Sequence, residues 1–326
     1  MNFRKVYDIA MEEYIRNFEF EDKRRNEFAS GGGDIRSSHI KKCSIRHEEI
    51  VTFENMLQAW SDFVGGKRRR EDVNDFALHL SDNLLDILSD LMDDSYVHGA
   101  YEEYTMYDPK KRTIHKASVR DRVVHRLVYN ALYHYFDKQY IYDSYSCRIG
   151  KGTHKAYVRF RHFVNAMSRN YTKPCYVLKF DIKKCFESID TAVLKHMLRK
   201  HIEDEKLLRI ICIVIDSFPK GLPLGNLTSQ LFINIYLHEL DWYAKHTLKC
   251  NCYLRYADDV IITSHDKENL EKLYLDIEFF LRHELHLVTH KKVIWSIYSG
   301  IDVLGVVFFA KYGRLRRSTE KRNRLR

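Results

Sequence analysis

Three short apolar runs end on, or enclose, carboxylates, and that pattern limits the fold more than any other feature of the chain. Cys175-Tyr-Val-Leu-Lys-Phe-Asp181 is strand-like and ends on Asp181. Tyr253-Leu-Arg-Tyr-Ala257 and Val260-Ile-Ile-Thr263 flank the pair Asp258-Asp259, with no Gly, Asn or Pro to make an ordinary hairpin turn between them. A fourth apolar run, Val303 to Phe309, carries Gly305 inside it. Helical segments lie between these runs, at about 190–216 and 228–248, and apolar residues recur at helical spacing from Glu71 to Leu91 and from Val119 to Phe136. Strands alternating with long helices predict an α+β layer, with helices packed on one face of a small, largely antiparallel sheet. Tyr101 to Tyr107, ending at Asp108-Pro109, reads as a further strand entering a turn.

An adjacent Asp pair is common in solvated turns. At the tip of a buried hairpin, however, two carboxylates repel, and their pKa values rise unless a cation shares the site. A third carboxylate, Asp181, delivered to the same place by another strand end, makes a set suited to two hard divalent cations. Such a pair serves phosphoryl transfer by activating the attacking hydroxyl and neutralising the leaving pyrophosphate. Mg²⁺ suits the task because it keeps coordination positions for substrate phosphates.

Charge points to the same class of partner. The 326-residue chain carries a net charge of +9. Its last sixteen residues hold eight Lys or Arg against Glu320, and a second basic cluster is Lys67-Arg-Arg-Arg70. Basic segments attract phosphate polymers by counterion release, and 22 Tyr, 18 Phe and 17 His supply stacking surfaces. No uncharged apolar stretch is long enough to span a membrane, and the N-terminus lacks a signal-peptide core, so the expected location is the cytoplasm. Seven scattered cysteines fit reduced thiols, and Cys250 and Cys252 lack partners at zinc-finger spacing. Residues 1–46 read as a separate charged extension, with a helical pattern from Val6 to Phe20 and a flexible break at Gly31-Gly-Gly33.

Tyr256-Ala-Asp-Asp259 resembles the hairpin motif of reverse transcriptases. Lys179-Phe-Asp-Ile-Lys-Lys-Cys-Phe-Glu-Ser-Ile-Asp190 resembles the first palm motif of that superfamily, especially its bacterial branch related to group II introns. The resemblance covers roughly Arg46 to Phe309. It implies a right-hand polymerase fold: fingers at about 47–174 and 193–220, palm at about 175–192 and 221–310, and a basic start of a thumb at 311–326, which is truncated or minimal. It implies catalysis by Asp181, Asp258 and Asp259, with two Mg²⁺ (Mn²⁺ as a substitute) held by these residues and by Ile182. The nucleotide would be bound by Lys183, Lys184, Cys185, the aromatic steric gate Phe186, Leu224, Gly225 and Gln230. Arg148, in Ser146-Cys-Arg-Ile-Gly-Lys-Gly-Thr-His154, matches the fingers arginine that contacts the triphosphate. Lys291 or Lys292, with Lys291 preferred, falls at the palm lysine. Val303-Leu-Gly-Val-Val-Phe308 is similar to the hairpin that grips the primer, through Leu304 and Gly305. The implied partners are an RNA template, a DNA or RNA primer and dNTPs.

Gly221-Leu-Pro-Leu-Gly-Asn-Leu-Thr-Ser-Gln230 narrows the resemblance. Most reverse transcriptases have Gln at the position of Leu224 and Pro at that of Gln230. The departure, together with Ser118-Val-Arg-Asp-Arg122 and Lys-Gly-Thr-His at 151–154, is similar to the enzymes of diversity-generating retroelements. That resemblance implies error-prone, adenine-mutagenised cDNA copied from a template-repeat RNA, and a small basic accessory variability protein as partner. Physically, Leu224 offers apolar contact where Gln offers two donors and an acceptor, so discrimination against mismatches should weaken. Group II intron-like or phage-defence reverse transcriptases are the alternatives, and a non-catalytic RNA-binding protein is a further one.

Overall fold

The computed structural model describes residues 42–107, 111–310 and 312–315. The helical pattern at Val6–Phe20, Gly31–Gly33, the turn at Asp108-Pro109 and most of the basic 311–326 tail lie outside them. Lys42 to Arg46, placed with the extension by sequence, belongs to the main body. Cys43 there is buried, its N–H donates to the His201 carbonyl at 2.7 Å, and it forms a parallel bridge with Ile202.

Among the described residues, nine strands fall into three antiparallel sheets. β1 (Glu102–Tyr107) and β2 (Lys111–Lys116) form an exposed hairpin. β3 (Tyr176–Ile182), β4 (Tyr253–Tyr256), β5 (Asp259–Ser264) and β6 (Thr289–Ser296) make the central sheet in the order β4-β5-β3-β6. β7 (Ile301–Val303), β8 (Val306–Phe309) and β9 (Tyr312–Leu315) make the third. The run from Val303 to Phe309 is the end of β7, a two-residue turn and β8: Leu304 (φ 51°) and Gly305 (φ 91°) both take the left-handed backbone that a two-residue hairpin with right-handed twist requires.

β3 occupies an interior position of the central sheet, and its Val177, Leu178, Phe180 and Ile182 are at most 2% exposed. The helix Lys267–Glu284 packs along β3, β5 and β6 through Leu270, Tyr274, Ile277 and Leu281, while Thr153–Met167 lies against β4 and β5. Each fully buried Leu, Ile or Phe contributes about 1.5–3 kcal/mol, so this layer is what fixes the height of the strand ends.

Local chemistry sets the helix boundaries. The helical pattern from Glu71 to Leu91 breaks at His79 (φ −121°) into Glu71–Leu78 and Leu80–Met92, and the Asn83 amide donates to the Phe76 carbonyl freed by the break at 2.9 Å. The segment at 190–216 likewise divides into Thr191–His201 and Glu205–Asp216. Asp190 and Asp204 cap their respective N-termini, each accepting from backbone N–H groups of the first turn. Val119–Asp137 and Leu227–Trp242 follow the predicted helices closely, the latter running on as a wider turn over Tyr243–Thr247. All seven cysteines are free thiols. Among the described residues no helix is long and apolar enough to cross a membrane.

Candidate active site

Strand register brings the three carboxylates to one end of the central sheet. Phe180 pairs with Val260, so the next position of the same register sets Asp181 beside Asp259. Tyr256 pairs with Asp259 and leaves Ala257 and Asp258 as a two-residue turn. With no glycine available, Ala257 itself adopts the left-handed conformation (φ 53°), a strain of order 1–3 kcal/mol for a side chain with a Cβ. On the other flank, the β3–β6 ladder slips between Lys179 and Asp181, and Lys291 sits in that bulge with φ 52°. Bulges re-aim neighbouring side chains, and this one lies directly beside Asp181.

The electrostatics are those of crowded acids. Burial raises the Asp258 carboxyl above its ordinary value; Asp259 and Asp181 push it further, while a hydrogen bond from its own backbone N–H and, less strongly, Arg112 on β2 oppose them. Burial likewise raises Asp259, countered by Lys179 and reinforced by Asp181. Lys179 extends from β3 between two elements: its ammonium lies 3.6 Å from Asp259 Oδ1 and donates to the Asp302 carbonyl at 3.1 Å, tying the β4–β5 tip to the β7–β8 hairpin. Asp181 Oδ1 is buried without a hydrogen-bond partner. Among the described residues no three acidic, His or Cys side chains are gathered closely enough to enclose an ion. The hard oxygen donors, the orphaned buried Asp181 oxygen and the upward-shifted pair nonetheless fit divalent cations, which would remove the repulsion.

The remaining predicted residues divide into those near the tip and those committed elsewhere. Ile182 is buried at 2% exposure, so only its carbonyl is available as a ligand. Cys185 is also buried, and burial pushes its thiol up to about 12, with Asp258 adding to the shift. Only its backbone can face a nucleotide. Lys183 is exposed, and Lys184 (φ 48°) pairs with Glu187 at 2.8 Å. Phe186 is half-buried, and its carbonyl accepts the Leu222 N–H at 2.8 Å, which fastens the 221–226 segment to the turn carrying Phe186. Leu224 is half-buried beside β2: its carbonyl accepts the His115 N–H at 2.9 Å, and the Asn226 amide donates to the His115 carbonyl at 3.0 Å. Gly225 (φ 114°) lies against Ile114, where a Cβ would come within 2.6 Å of that side chain. Gln230 is exposed on the first turn of Leu227–Trp242. Leu304 and Gly305 form the half-buried tip of the β7–β8 hairpin.

Arg148 is engaged elsewhere. Its guanidinium pairs with Asp137 at 2.7 Å, donates to the carbonyls of Ile141, Ser144 and Asp137, and stacks over Tyr140. These bonds use four of its five N–H groups and hold its own loop together. Of the two candidate lysines, Lys292 pairs with Glu271 and lies over Tyr274, whereas Lys291 is exposed with no ion-pair partner among the described residues.

Four further charged side chains surround the tip, none of them assigned a role by the sequence motifs. Arg112 is exposed on β2, and its field reaches Asp258. Lys179 lay inside a quoted motif without a role. Arg255 and Asp241 form a wholly buried ion pair beneath the tip, each at 0% side-chain exposure. A charge in the apolar run Tyr253–Tyr256, and another in the apolar helix Leu227–Trp242, were the available signals.

Comparison with known proteins agrees with this geometry. The family model described as reverse transcriptase (RNA-dependent DNA polymerase) matches residues 107–308. An uncharacterized 91 kDa protein in the cob intron of Schizosaccharomyces pombe is 25% identical over 146 residues, covering 42% of this chain and 17% of that protein. Among solved structures, telomerase from Candida albicans in complex with a telomeric RNA fragment aligns with a TM-score of 0.53 at 11% identity, over 69% of this chain and 48% of that one. Apo telomerase from Candida tropicalis aligns with a TM-score of 0.50 at 14% identity, over 67% and 48%. The chain thus spans less than half the length of each of these proteins, and the structural likeness speaks for the right-hand polymerase fold. With its family model matched over residues 107–308, from the end of β1 through all three carboxylates and into β8, the chain belongs to the reverse transcriptase (RNA-dependent DNA polymerase) family.

Proposed function

We propose that the chain copies an RNA template into DNA by magnesium-assisted phosphoryl transfer at Asp181, Asp258 and Asp259. The observation that carries this reading is the convergence of these carboxylates at one end of the β3/β5 register, at the centre of the family match. When bound there, two Mg²⁺ would supply activation of the primer 3′-hydroxyl and neutralisation of the departing pyrophosphate. The chain's own groups orient the reactants: Lys179 and the β7–β8 hairpin beside the primer end, Phe186 beneath the sugar, and Lys291 toward the triphosphate.

The finer reading is a diversity-generating retroelement enzyme, working with an accessory variability protein to make adenine-mutagenised cDNA from a template-repeat RNA. It is supported by Leu224 and Gln230. The backbone at 224–226 is clamped to β2 through His115 whatever side chain residue 224 carries, so Leu224→Gln changes only the contact offered to the nucleotide. Extension of a primer on a defined RNA template, followed by sequencing of the cDNA, tests both levels. Wild-type chain makes cDNA with errors concentrated opposite adenine, and Leu224→Gln lowers those errors about three- to tenfold, the worth of one hydrogen bond gained in the correct pair. An unchanged error spectrum refutes the fidelity reading, and absence of any product refutes the polymerase reading. The cob-intron relative favours an intron-type reverse transcriptase as the second reading; an even, low error spectrum in the wild type would support it.

A further inference from the structure

We infer that Arg255, buried beneath the β4–β5 tip and never in contact with substrate, is the residue that sets the position of Asp258 and Asp259. It rests on the polymerase reading and adds a positioning residue to it.

Arg255 has five guanidinium N–H groups, and each has an acceptor. Nε and one terminal nitrogen grip the two oxygens of Asp241, both at 2.7 Å. The same terminal nitrogen donates to Ser144 Oγ at 3.1 Å. The other donates to Asn234 Oδ1 at 3.2 Å and to the Ala257 carbonyl at 3.0 Å. That last bond holds the residue whose left-handed backbone shapes the turn, immediately before Asp258. The Arg255 backbone is fastened too: its N–H donates to the Asp143 carbonyl at 3.0 Å, and its carbonyl accepts the Tyr145 N–H at 3.0 Å. Tyr253 donates to Asp241 at 2.7 Å, and Asn234 donates to the Ser146 carbonyl at 3.0 Å. One side chain therefore ties the strained turn to the helix Leu227–Trp242 and to the loop at 143–146.

A buried ion pair is a poor stabiliser, because desolvating both charges offsets their attraction, and apolar pairs of similar volume commonly replace it without loss of stability. What an apolar pair cannot supply is a donor for the Ala257 carbonyl. The planar fork also matters: lysine carries the same charge but cannot reach Asp241 twice, Ser144, Asn234 and Ala257 together. The clamp is thus better explained by the geometry it imposes on the tip than by stability.

The test compares wild type with the double variant Arg255→Met/Asp241→Leu and with Arg255→Lys, in single-nucleotide extension of a primer on an RNA template. Hydrogen exchange of the amides at 256–260 is followed in parallel. Expected in both variants are a fall in kcat of about 30-fold or more, a KM for dNTP within about threefold of wild type, and a Mg²⁺ concentration for half-maximal rate raised about five- to tenfold. The tip amides exchange faster while melting of the double variant stays near wild type. A folded double variant with wild-type turnover and Mg²⁺ dependence overturns the inference. If the double variant does not fold, wild-type turnover and slow tip exchange in Arg255→Lys overturn it instead. Should wild-type chain itself make no DNA, the polymerase reading fails on its own, and tip exchange still decides whether Arg255 holds the turn.

Discussion

Asp258→Ala is expected to abolish RNA-templated DNA synthesis, lowering the rate at least about a thousandfold, which corresponds to roughly 4 kcal/mol of transition-state stabilisation. The same change should leave folding intact. Asp258 is held at the tip against its neighbours: burial and the charges of Asp259 and Asp181 all disfavour its ionised form. Removing it relieves repulsion and costs only the bond from its own backbone N–H, since Ala257 is fixed by Arg255 and Asp259 remains paired with Tyr256. A melting temperature equal to or slightly above wild type, with activity gone, is the expected signature in parallel melting and extension assays. Near-normal activity would show that the site lies elsewhere, and loss of both activity and fold would show that Asp258 is structural.

Gly221→Ala should produce the second large effect, through a residue that carries no chemistry. Gly221 takes φ +66°, and a Cβ there would stand 2.3 Å from the Phe186 carbonyl oxygen and 2.7 Å from the Glu187 carbonyl carbon. Backbone atoms cannot swing aside as a side-chain tip can. Left-handed strain and overpacking together should cost about 3 kcal/mol and lower the melting temperature by roughly 5–10 °C. The displaced element is the turn carrying Phe186, held to this segment by the Leu222 N–H. Discrimination between deoxy- and ribonucleotides should therefore fall in competition assays run well below the melting point. Unchanged melting together with unchanged discrimination would contradict the packing argument.

The contrast between these residues shows what could be read from the chain and why. Strand ends bearing Asp181, Asp258 and Asp259 were legible because apolar runs bounded by carboxylates are local patterns. The helices at Val119–Asp137 and Leu227–Trp242 were legible for the same reason. Motif position alone does not reveal that Asp137 and three carbonyl groups take up donors of Arg148. Arg255 was missed because its significance lies in partners drawn from residues 144, 234, 241 and 257, a constellation that exists only after folding. The split at His79 and the turn within Val303–Phe309 depend on single backbone angles, to which hydrophobic periodicity is blind.

The central claim is that Asp181, Asp258 and Asp259 jointly hold the divalent ions. Calorimetric titration of Mn²⁺ into the chain bound to an RNA template, a chain-terminated DNA primer and a matching dNTP tests it most directly. Wild type should take up two ions per chain, and Asp181→Ala, on a different strand from the other two carboxylates, should lose at least one of them while remaining folded. Uptake of two ions by Asp181→Ala with unchanged affinity would contradict the account.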